Sequence, residues 1–411
     1  MSSAQIQVNS EWLKWARETA YYDLEEISKK MRVKEDTVKQ WENTGTLDYD
    51  HLLKLAEFYC RPPMIFFNKD NPKQIKYIIP DYRTINSKNQ DNISPTISFE
   101  IRSAKTRREN LLLLEEESDE YEIPLFDFPL REGVNEDPES LAWAIREWLG
   151  ISTAKSLVYK NKKGLEFWIN KLEELGVLVF QFYGIKPEEM RGYALTYDKL
   201  PIIGINNQDH PNGKKFTLFH ELAHLIIKKE GISSFNKYDL PNSDEIFCNA
   251  VAAEVLVPEK DLLAKVDQIG VRGNWTNDKI NKLKNFFNVS SEVIVRRLLT
   301  LKLVEPDFYK SKKEEWNKFI PHSGSKAKER TVDQGRRERD EPCSDREKDI
   351  NLINTRKAVM AIKRNGVYYT EIVLSAYDSQ LITNSTMTGY LGETLQVVEE
   401  IRKKLLEEIE E

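Results

Sequence analysis

The chain has 411 residues, of which 40% are hydrophobic and 31% are charged, and its formal net charge is −6. This length suggests about two to four folding units, and the acidic balance argues against a protein that coats nucleic acid, because neutralising phosphates needs clustered lysine and arginine. The three cysteines are scattered, and the sequence has neither a secretory signal pattern nor an apolar run long enough to span a bilayer. We therefore expect a soluble cytoplasmic protein with no disulfide framework and no membrane partner.

The first segment, residues 1–67, has the apolar spacing of short amphipathic helices packed into a small bundle. The stretch from Leu24 to Trp41 has the pattern of two helices joined by a tight turn, and the second helix is expected at Lys34–Asn43. Gly45 can end that helix because glycine readily takes a left-handed cap. The segment therefore predicts a helix-turn-helix bundle.

The rest of the chain divides by composition into four further segments. Residues 68–134 form a connector with one helix, expected at 97–117, and residues 135–305 form a compact domain. Residues 306–349 form a helix and a flexible charged linker, and residues 350–411 form a small, mostly helical unit. The strands predicted in the compact domain are GVLVFQF, GYALTY and LPIIGIN, and the two helices that follow them are expected at 216–229 and 244–257. The expected fold class is α+β and mostly helical.

A possible metal site lies in the segment FTLFHELAHLII, which contains His220-Glu221-Leu222-Ala223-His224. Residues four apart lie on one face of a helix, so His220 and His224 can bind one zinc ion. Glu221, beside the first ligand, can reach a water on that ion and act as the general base. The predicted chemistry is hydrolysis, in which zinc lowers the pKa of the water and polarises the scissile carbonyl.

A third protein ligand is expected on the following helix, in SDEIFCNAVAAEVLVP. Glu245 is the preferred candidate, Asp244 is its neighbouring rival and Glu254 is a weaker one. Asn249 lies one turn after Glu245, where it can orient the carboxylate or a ligating histidine.

Three further polar residues have a functional and a structural interpretation. Tyr193 can donate to a developing oxyanion, but a buried strand tyrosine explains it equally well, so the oxyanion donor stays unassigned. His210 is interpreted as a solvated or structural loop residue, and Cys248 as a small buried side chain.

The five-residue motif also occurs by chance, and a lone match is more often structural. Here it uses two of only five histidines, lies on a helix with well-formed apolar faces and precedes a helix that carries carboxylates. These features favour a zinc site.

Two stretches resemble the ImmA/IrrE family of bacterial metallopeptidases, namely FTLFHELAHLI and EIFCNAVAAEVLVP. In the second stretch the positions that match the family pattern are Glu245, Asn249, Ala252, Ala253, Leu256 and Pro258. The second glutamate of that pattern is Phe247 here, which favours Glu245 as the ligand, and Cys248 replaces the usual alanine. LPIIGIN and VSSEVIVRRL resemble flanking elements, so the resemblance covers about 135–305 and implies a zincin-like domain with one zinc ion.

The segment LEEISKKMRVKEDTVKQWENTG resembles a Cro/C1-type (XRE) helix-turn-helix domain. Together the two resemblances imply regulatory proteolysis, in which a site-specific endopeptidase cleaves a helix-turn-helix repressor and so controls transcription.

The role of the N-terminal segment stays open between DNA binding and protein docking. Residues on the second helix that can face a groove or a partner are Lys34, Thr37, Lys39 and Gln40. However, residues 1–67 hold nine lysines and arginines against eleven aspartates and glutamates, the wrong balance for strong phosphate binding.

Two alternatives to the peptidase also remain. One is a DNA-binding regulator or antitoxin whose zinc site is structural or only weakly active. The other is an interaction scaffold without bound metal. The sequence does not determine the oligomeric state.

Overall fold

A computed structural model of the chain describes residues 5–72, 94–118, 121–129, 137–151, 162–229, 243–270, 273–319 and 343–410. Most of the predicted linker, His322 and much of the connector lie outside these ranges. The described residues are mainly helical and contain two small sheets, which confirms the α+β, mostly helical class. Within them, no helix is both long and apolar enough to cross a bilayer.

The N-terminal unit is built around its own hydrophobic core, in which Trp12, Ile27, Trp41 and Leu52 are buried. Its elements are β1 (Gln5–Gln7), α1 (Ser10–Thr19), α2 (Leu24–Met31), α3 (Glu35–Thr44), β2 (Thr46–Asp48), α4 (Tyr49–Tyr59) and a short 3-10 helix (Pro63–Phe67). The two helices predicted within this segment are present as α2 and α3, and Gly45 caps α3 with a φ of 69°.

The antiparallel pair β1–β2 was not expected, because the sequence analysis predicted helices alone. Each of these strands has only three residues, which is too short to show the alternating pattern of a strand. Their pairing joins residues about forty positions apart, and no local pattern records such a pairing.

The central region contains a three-stranded sheet of order β3-β5-β4. Its elements are α5 (Pro95–Glu117), α6 (Pro138–Trp148), α7 (Lys162–Glu174), β3 (Leu178–Phe182), β4 (Gly192–Leu195), β5 (Ile202–Asn206), α8 (Pro211–Lys229), α9 (Ser243–Leu256), α10 (Glu259–Ile269), α11 (Asn277–Phe287), α12 (Ser291–Thr300) and α13 (Pro306–Phe319). β3 runs parallel to β5, and β4 runs antiparallel to it. All three predicted strands are confirmed.

Helix α8 begins at Pro211, although the sequence analysis placed its start at Phe216. The preceding stretch contains proline, asparagine and glycine and was interpreted as a loop. Proline is tolerated in the first turn of a helix, because its missing N–H has no partner there in any case.

The sheet lies between two layers of helices. Side chains of Val179, Ile203 and Ile205 face a core that contains α6 to α12. Alternate residues on these strands, such as Phe180 and Ile202, face a second core that contains α5 and the C-terminal helices, and so does Tyr193 of β4. This alternation follows from the two-residue period of a strand.

The C-terminal helices pack on the second face of the sheet. They are α14 (Cys343–Asn365), α15 (Val367–Asp378), α16 (Asn384–Leu391) and α17 (Leu395–Glu410). Helix α14 begins inside the stretch that the sequence analysis interpreted as a linker, because the alternating charges there were taken as a sign of flexibility and not of a helix end. The C-terminal unit is therefore one of the two helix layers that cover the sheet.

A close contact at Gly366 joins the C-terminal helices to the central region. Gly366 has a φ of 79°, and a Cβ atom there would lie 2.6 Å from Oε1 of Glu173 and 3.1 Å from the carbonyl oxygen of Val179. The other oxygen of Glu173 accepts a hydrogen bond of 3.1 Å from the backbone N–H of Tyr368, in the first turn of α15. The turn before α15 therefore leaves no room for a side chain.

We expect Gly366→Ala to lower the free energy of unfolding by about 2–4 kcal/mol, the sum of backbone strain and overpacking. Urea denaturation followed by circular dichroism measures this change. Gly389→Ala is the matched control, because Gly389 lies inside α16 with no atom within 4 Å of an added Cβ, and alanine there should be neutral or stabilising by up to about 1 kcal/mol. Equal effects of the two substitutions would contradict the argument.

Candidate metal centre

The motif histidines lie on α8, which is buried between the sheet and α9. Leu222 and Ala223 on this helix are fully buried, so the apolar faces fix the rotation of the helix about its axis. His220 is 8% exposed and Glu221 is 2% exposed, while His224 remains partly accessible. The ring of Phe216, one turn earlier, stacks on the ring of His220 with centroids 6.3 Å apart.

Helix α9 brings Glu245 to the two histidines. One oxygen of its carboxylate lies 3.3 Å from Nε2 of His220, and the other lies 3.2 Å from Nε2 of His224. The two Nε2 atoms are themselves 3.2 Å apart. Small residues such as Ala252 and the buried Cys248 on α9 allow this close packing of α9 against α8.

These distances fit a tetrahedral metal ion. Zinc bonds to imidazole nitrogen and carboxylate oxygen of about 2.0–2.2 Å place neighbouring ligand atoms about 3.3 Å apart in a tetrahedron. Among the described residues, one group of side chains could hold a metal ion, and it consists of His220, His224 and Glu245. Their ligand atoms all lie within 4.8 Å of one another. Two imidazoles and one carboxylate are also a donor set found in catalytic zinc sites. The three residues therefore fit a zinc ion and leave one position open for a water or a substrate.

The two rival carboxylates lie elsewhere. Glu254 is buried and forms an ion pair with Arg297, and one of its oxygens accepts the backbone N–H of Glu259 at 2.9 Å. Asp244 is exposed at the start of α9 and is not part of the group. The structure therefore places Glu245, and neither rival, against the histidines.

Asn249 lies one turn after Glu245 on α9, as expected, and is half-buried. The nearness of its side chain is the smallest of the influences that raise the pKa of His220. This contact agrees with the expected role of orienting a ligand.

Glu245 and His220 influence the pKa of each other. Burial is the largest influence on Glu245 and raises its pKa, but the hydrogen bonds and charges of His220 and His224 outweigh it and lower the pKa to about 2. Burial also acts most on His220 and lowers its pKa, but the hydrogen bond with Glu245 and the charges of Glu221 and Glu245 raise the pKa overall. The cluster therefore holds a negative carboxylate against a ring that tends to be protonated.

This coupling predicts a pH dependence for the chelator-treated protein. The lowered pKa of Glu245 contributes stability above the ordinary glutamate pKa of about 4.3 that is lost as the pH falls towards 2. The raised pKa of His220 contributes stability below the ordinary histidine pKa of about 6.5 that is lost as the pH rises through the raised value. Thermal unfolding of the wild type and of Glu245→Gln should therefore differ most between about pH 4.3 and 6.5. A difference that stays constant with pH would disprove this interpretation.

The contacts of Tyr193 and His210 are those of residues with a structural role. Tyr193 points to the face of the sheet opposite α8, where its hydroxyl donates to Glu100 at 3.1 Å. This position argues against its interpretation as an oxyanion donor and agrees with that of a buried strand tyrosine. His210 is exposed, and its Nδ1 accepts the backbone N–H of Asn212 at 3.2 Å, as a loop residue does.

The candidate contact residues of the N-terminal unit lie on or just before α3. Lys34 is the N-cap of α3, and Lys34, Lys39 and Gln40 are exposed, whereas Thr37 is half-buried. Lys39 lies 3.9 Å from Glu35 and 3.6 Å from Asp36, so acidic neighbours offset its charge.

Sequence reasoning missed Gly192, the first residue of β4. A Cβ atom at this position would lie 3.1 Å from Oε1 of Glu221. A glycine in a strand often marks a close approach of another group to the backbone, and this signal was present in GYALTY.

Comparison with known families agrees with the geometry. Residues 172–299 match the family model Peptidase_M78, described as the IrrE N-terminal-like domain. The matched stretch contains β3 to β5, α8 and α9 and therefore the whole histidine–glutamate group. No curated protein sequence matches the chain. The match indicates a metallopeptidase-type domain and supports the resemblance to the ImmA/IrrE family.

Proposed function

We propose that the protein is a zinc-dependent endopeptidase with a single metal ion, held by His220, His224 and Glu245. The observation that carries this proposal is the convergence of the three ligand atoms of these side chains within 4.8 Å. The match of the surrounding domain to a peptidase family supports it independently.

A zinc ion held by His220, His224 and Glu245 would supply Lewis acidity, which would polarise the scissile carbonyl and lower the pKa of the attacking water. Glu221 accepts the proton of that water, since its buried carboxylate follows the first ligand on α8 and influences the charge of His220. The same carboxylate then returns the proton to the leaving amine. The buried surroundings keep bulk water away from the carboxylate and so strengthen its interactions.

We further propose that the substrate is a regulatory protein, and specifically a helix-turn-helix repressor. The N-terminal unit supports this choice. Its α2 and α3 are joined by a turn in which Arg32 is left-handed, with a φ of 56°, and the acidic residues around Lys39 suit a protein partner better than phosphates. In this proposal the N-terminal unit docks the substrate through Lys34, Thr37, Lys39 and Gln40.

The alternative function is that of a DNA-binding regulator with a structural or weakly active zinc site. The same turn between α2 and α3 favours it, because a helix presented in this way can enter a major groove. The two functions differ in whether new peptide ends are produced.

Labelling of new amino termini tests the proposal for a substrate of any sequence. The zinc-loaded protein is incubated with an extract of its source cells, and chelator-treated protein serves as the control. We expect one or a few new amino termini, which map to a regulatory protein and depend on zinc. If no terminus depends on zinc, while the protein binds DNA fragments in a salt-dependent manner, the regulator is the better account.

A further inference from the structure

Gly192, on the strand that packs against α8, is closely surrounded by other atoms. Gly192 begins β4, pairs with Ile205 of β5 and faces α8. A Cβ atom on Gly192 would lie 2.4 Å from Cγ2 of Thr217, 3.0 Å from the carbonyl oxygen of Gly204 and 3.1 Å from Oε1 of Glu221. Thr217 and Glu221 are one helical turn apart, so both face the strand.

The strand cannot easily move away from α8, because the next residue holds it from the opposite face. The ring of Tyr193 covers Gly204 so closely that a Cβ there would lie 2.1 Å from the ring. The same ring stacks on Phe182 with centroids 5.7 Å apart, and its hydroxyl donates to the buried Glu100.

Helix α8 is held as well. Its residue Phe219 packs edge-on against Trp168 of α7 with centroids 4.8 Å apart. Lys215, one turn earlier, is 3% exposed and donates to the backbone carbonyl of Asn288 at the end of α11. Because strand β4 and helix α8 are both held in place, a group added at Gly192 must displace the side chains of Thr217 and Glu221.

We propose that Gly192 is a positioning residue for the reaction, because its missing side chain allows the Glu221 carboxylate to lie against the sheet beside the metal ligands. The inference rests on the proposed function, in which Glu221 is the general base. A methyl group at this position displaces the carboxylate by a few tenths of an ångström, and catalytic groups tolerate such displacements poorly.

A purely structural role is the competing explanation, since the shortest contact is with Thr217 and not with Glu221. The two explanations separate when the Thr217 contact is removed. In the double variant Gly192→Ala/Thr217→Ala the 2.4 Å contact disappears, whereas the approach to Glu221 remains.

The experiment measures acetohydroxamate binding to the zinc-loaded protein by calorimetry, together with zinc content and thermal stability. A hydroxamate chelates zinc and donates its hydroxyl to a neighbouring carboxylate, so its affinity reports where that carboxylate lies. We expect Gly192→Ala to keep its zinc and to bind acetohydroxamate about tenfold more weakly. Thr217→Ala, the matched control, should bind it as the wild type does.

The double variant decides between the explanations. We expect it to regain thermal stability but not affinity for acetohydroxamate. If both recover, Gly192 acts through packing alone and the inference is wrong. Should Gly192→Ala fail to fold, the double variant alone is compared with Thr217→Ala, and equal affinities overturn the inference.

Glu221→Gln separates this inference from the proposed function. If that variant binds acetohydroxamate like the wild type, Glu221 does not adjoin the metal and the proposed base is wrong. If it binds more weakly but Gly192→Ala does not, only the positioning role is wrong. Crystal structures of the zinc-bound wild type and Gly192→Ala give a second measure, in which Glu221 should shift while His220, His224 and Glu245 stay in place.

Discussion

Glu221→Gln should lower the rate of peptide cleavage by about 10²–10⁴-fold, the usual contribution of a general base, without loss of zinc. Glutamine has the same shape as glutamate, so the packing around this residue, which is 2% exposed, is preserved. Its amide cannot accept a proton from the attacking water. The measurement is the rate at which the zinc-loaded variant produces the new amino termini that the wild type produces.

Asp244→Asn is the control for this substitution. It also removes one carboxylate close to the metal ligands in sequence, but Asp244 is exposed and lies outside the ligand group. We expect its rate to remain within about threefold of the wild type, as for most surface substitutions. A Glu221→Gln protein that cleaves at the wild-type rate would rule out Glu221 as the base.

His224→Ala and Glu245→Ala should each release the zinc ion. Replacing a residue that hydrogen-bonds to a metal ligand typically lowers the metal affinity by about 10–100-fold, and loss of a direct ligand should lower it further. The wild type should hold about one zinc ion per chain after dialysis, as one tetrahedral site requires. The two variants should hold almost none, as measured by mass spectrometry of the metal.

Asp244→Ala and Glu254→Gln distinguish the third ligand from its rivals. Glu245 contacts both histidines at 3.2–3.3 Å, whereas Glu254 is paired with Arg297. Both control variants should therefore keep their zinc, although Glu254→Gln should lose stability because Arg297 is left buried without its charge partner. Retention of zinc by Glu245→Ala together with its loss from Asp244→Ala would show that the wrong carboxylate was chosen.

The local parts of the candidate site could be predicted from the sequence. His220 and His224 are four residues apart on an amphipathic helix, and this spacing places both rings on one face whatever the rest of the fold is. The strands beside them were predictable as well, since β3 and β5 are continuous runs of buried residues. Helix periodicity and strand composition are properties of neighbouring residues, so a single sequence records them.

Other features depend on how distant segments pack together, so no local pattern in the sequence predicts them. Asp244 and Glu245 are adjacent in sequence, and the crossing of α9 over α8 determines which carboxylate reaches the histidines. The orientation of Tyr193 depended on the register of β4 with β5, because a shift of one residue would turn it towards α8. Gly192 matters only because of its contact with Thr217 and Glu221 on α8, which follow it by more than twenty residues. The residue types therefore set the chemistry that is available to this protein, whereas the packing between distant elements sets which of those groups face one another.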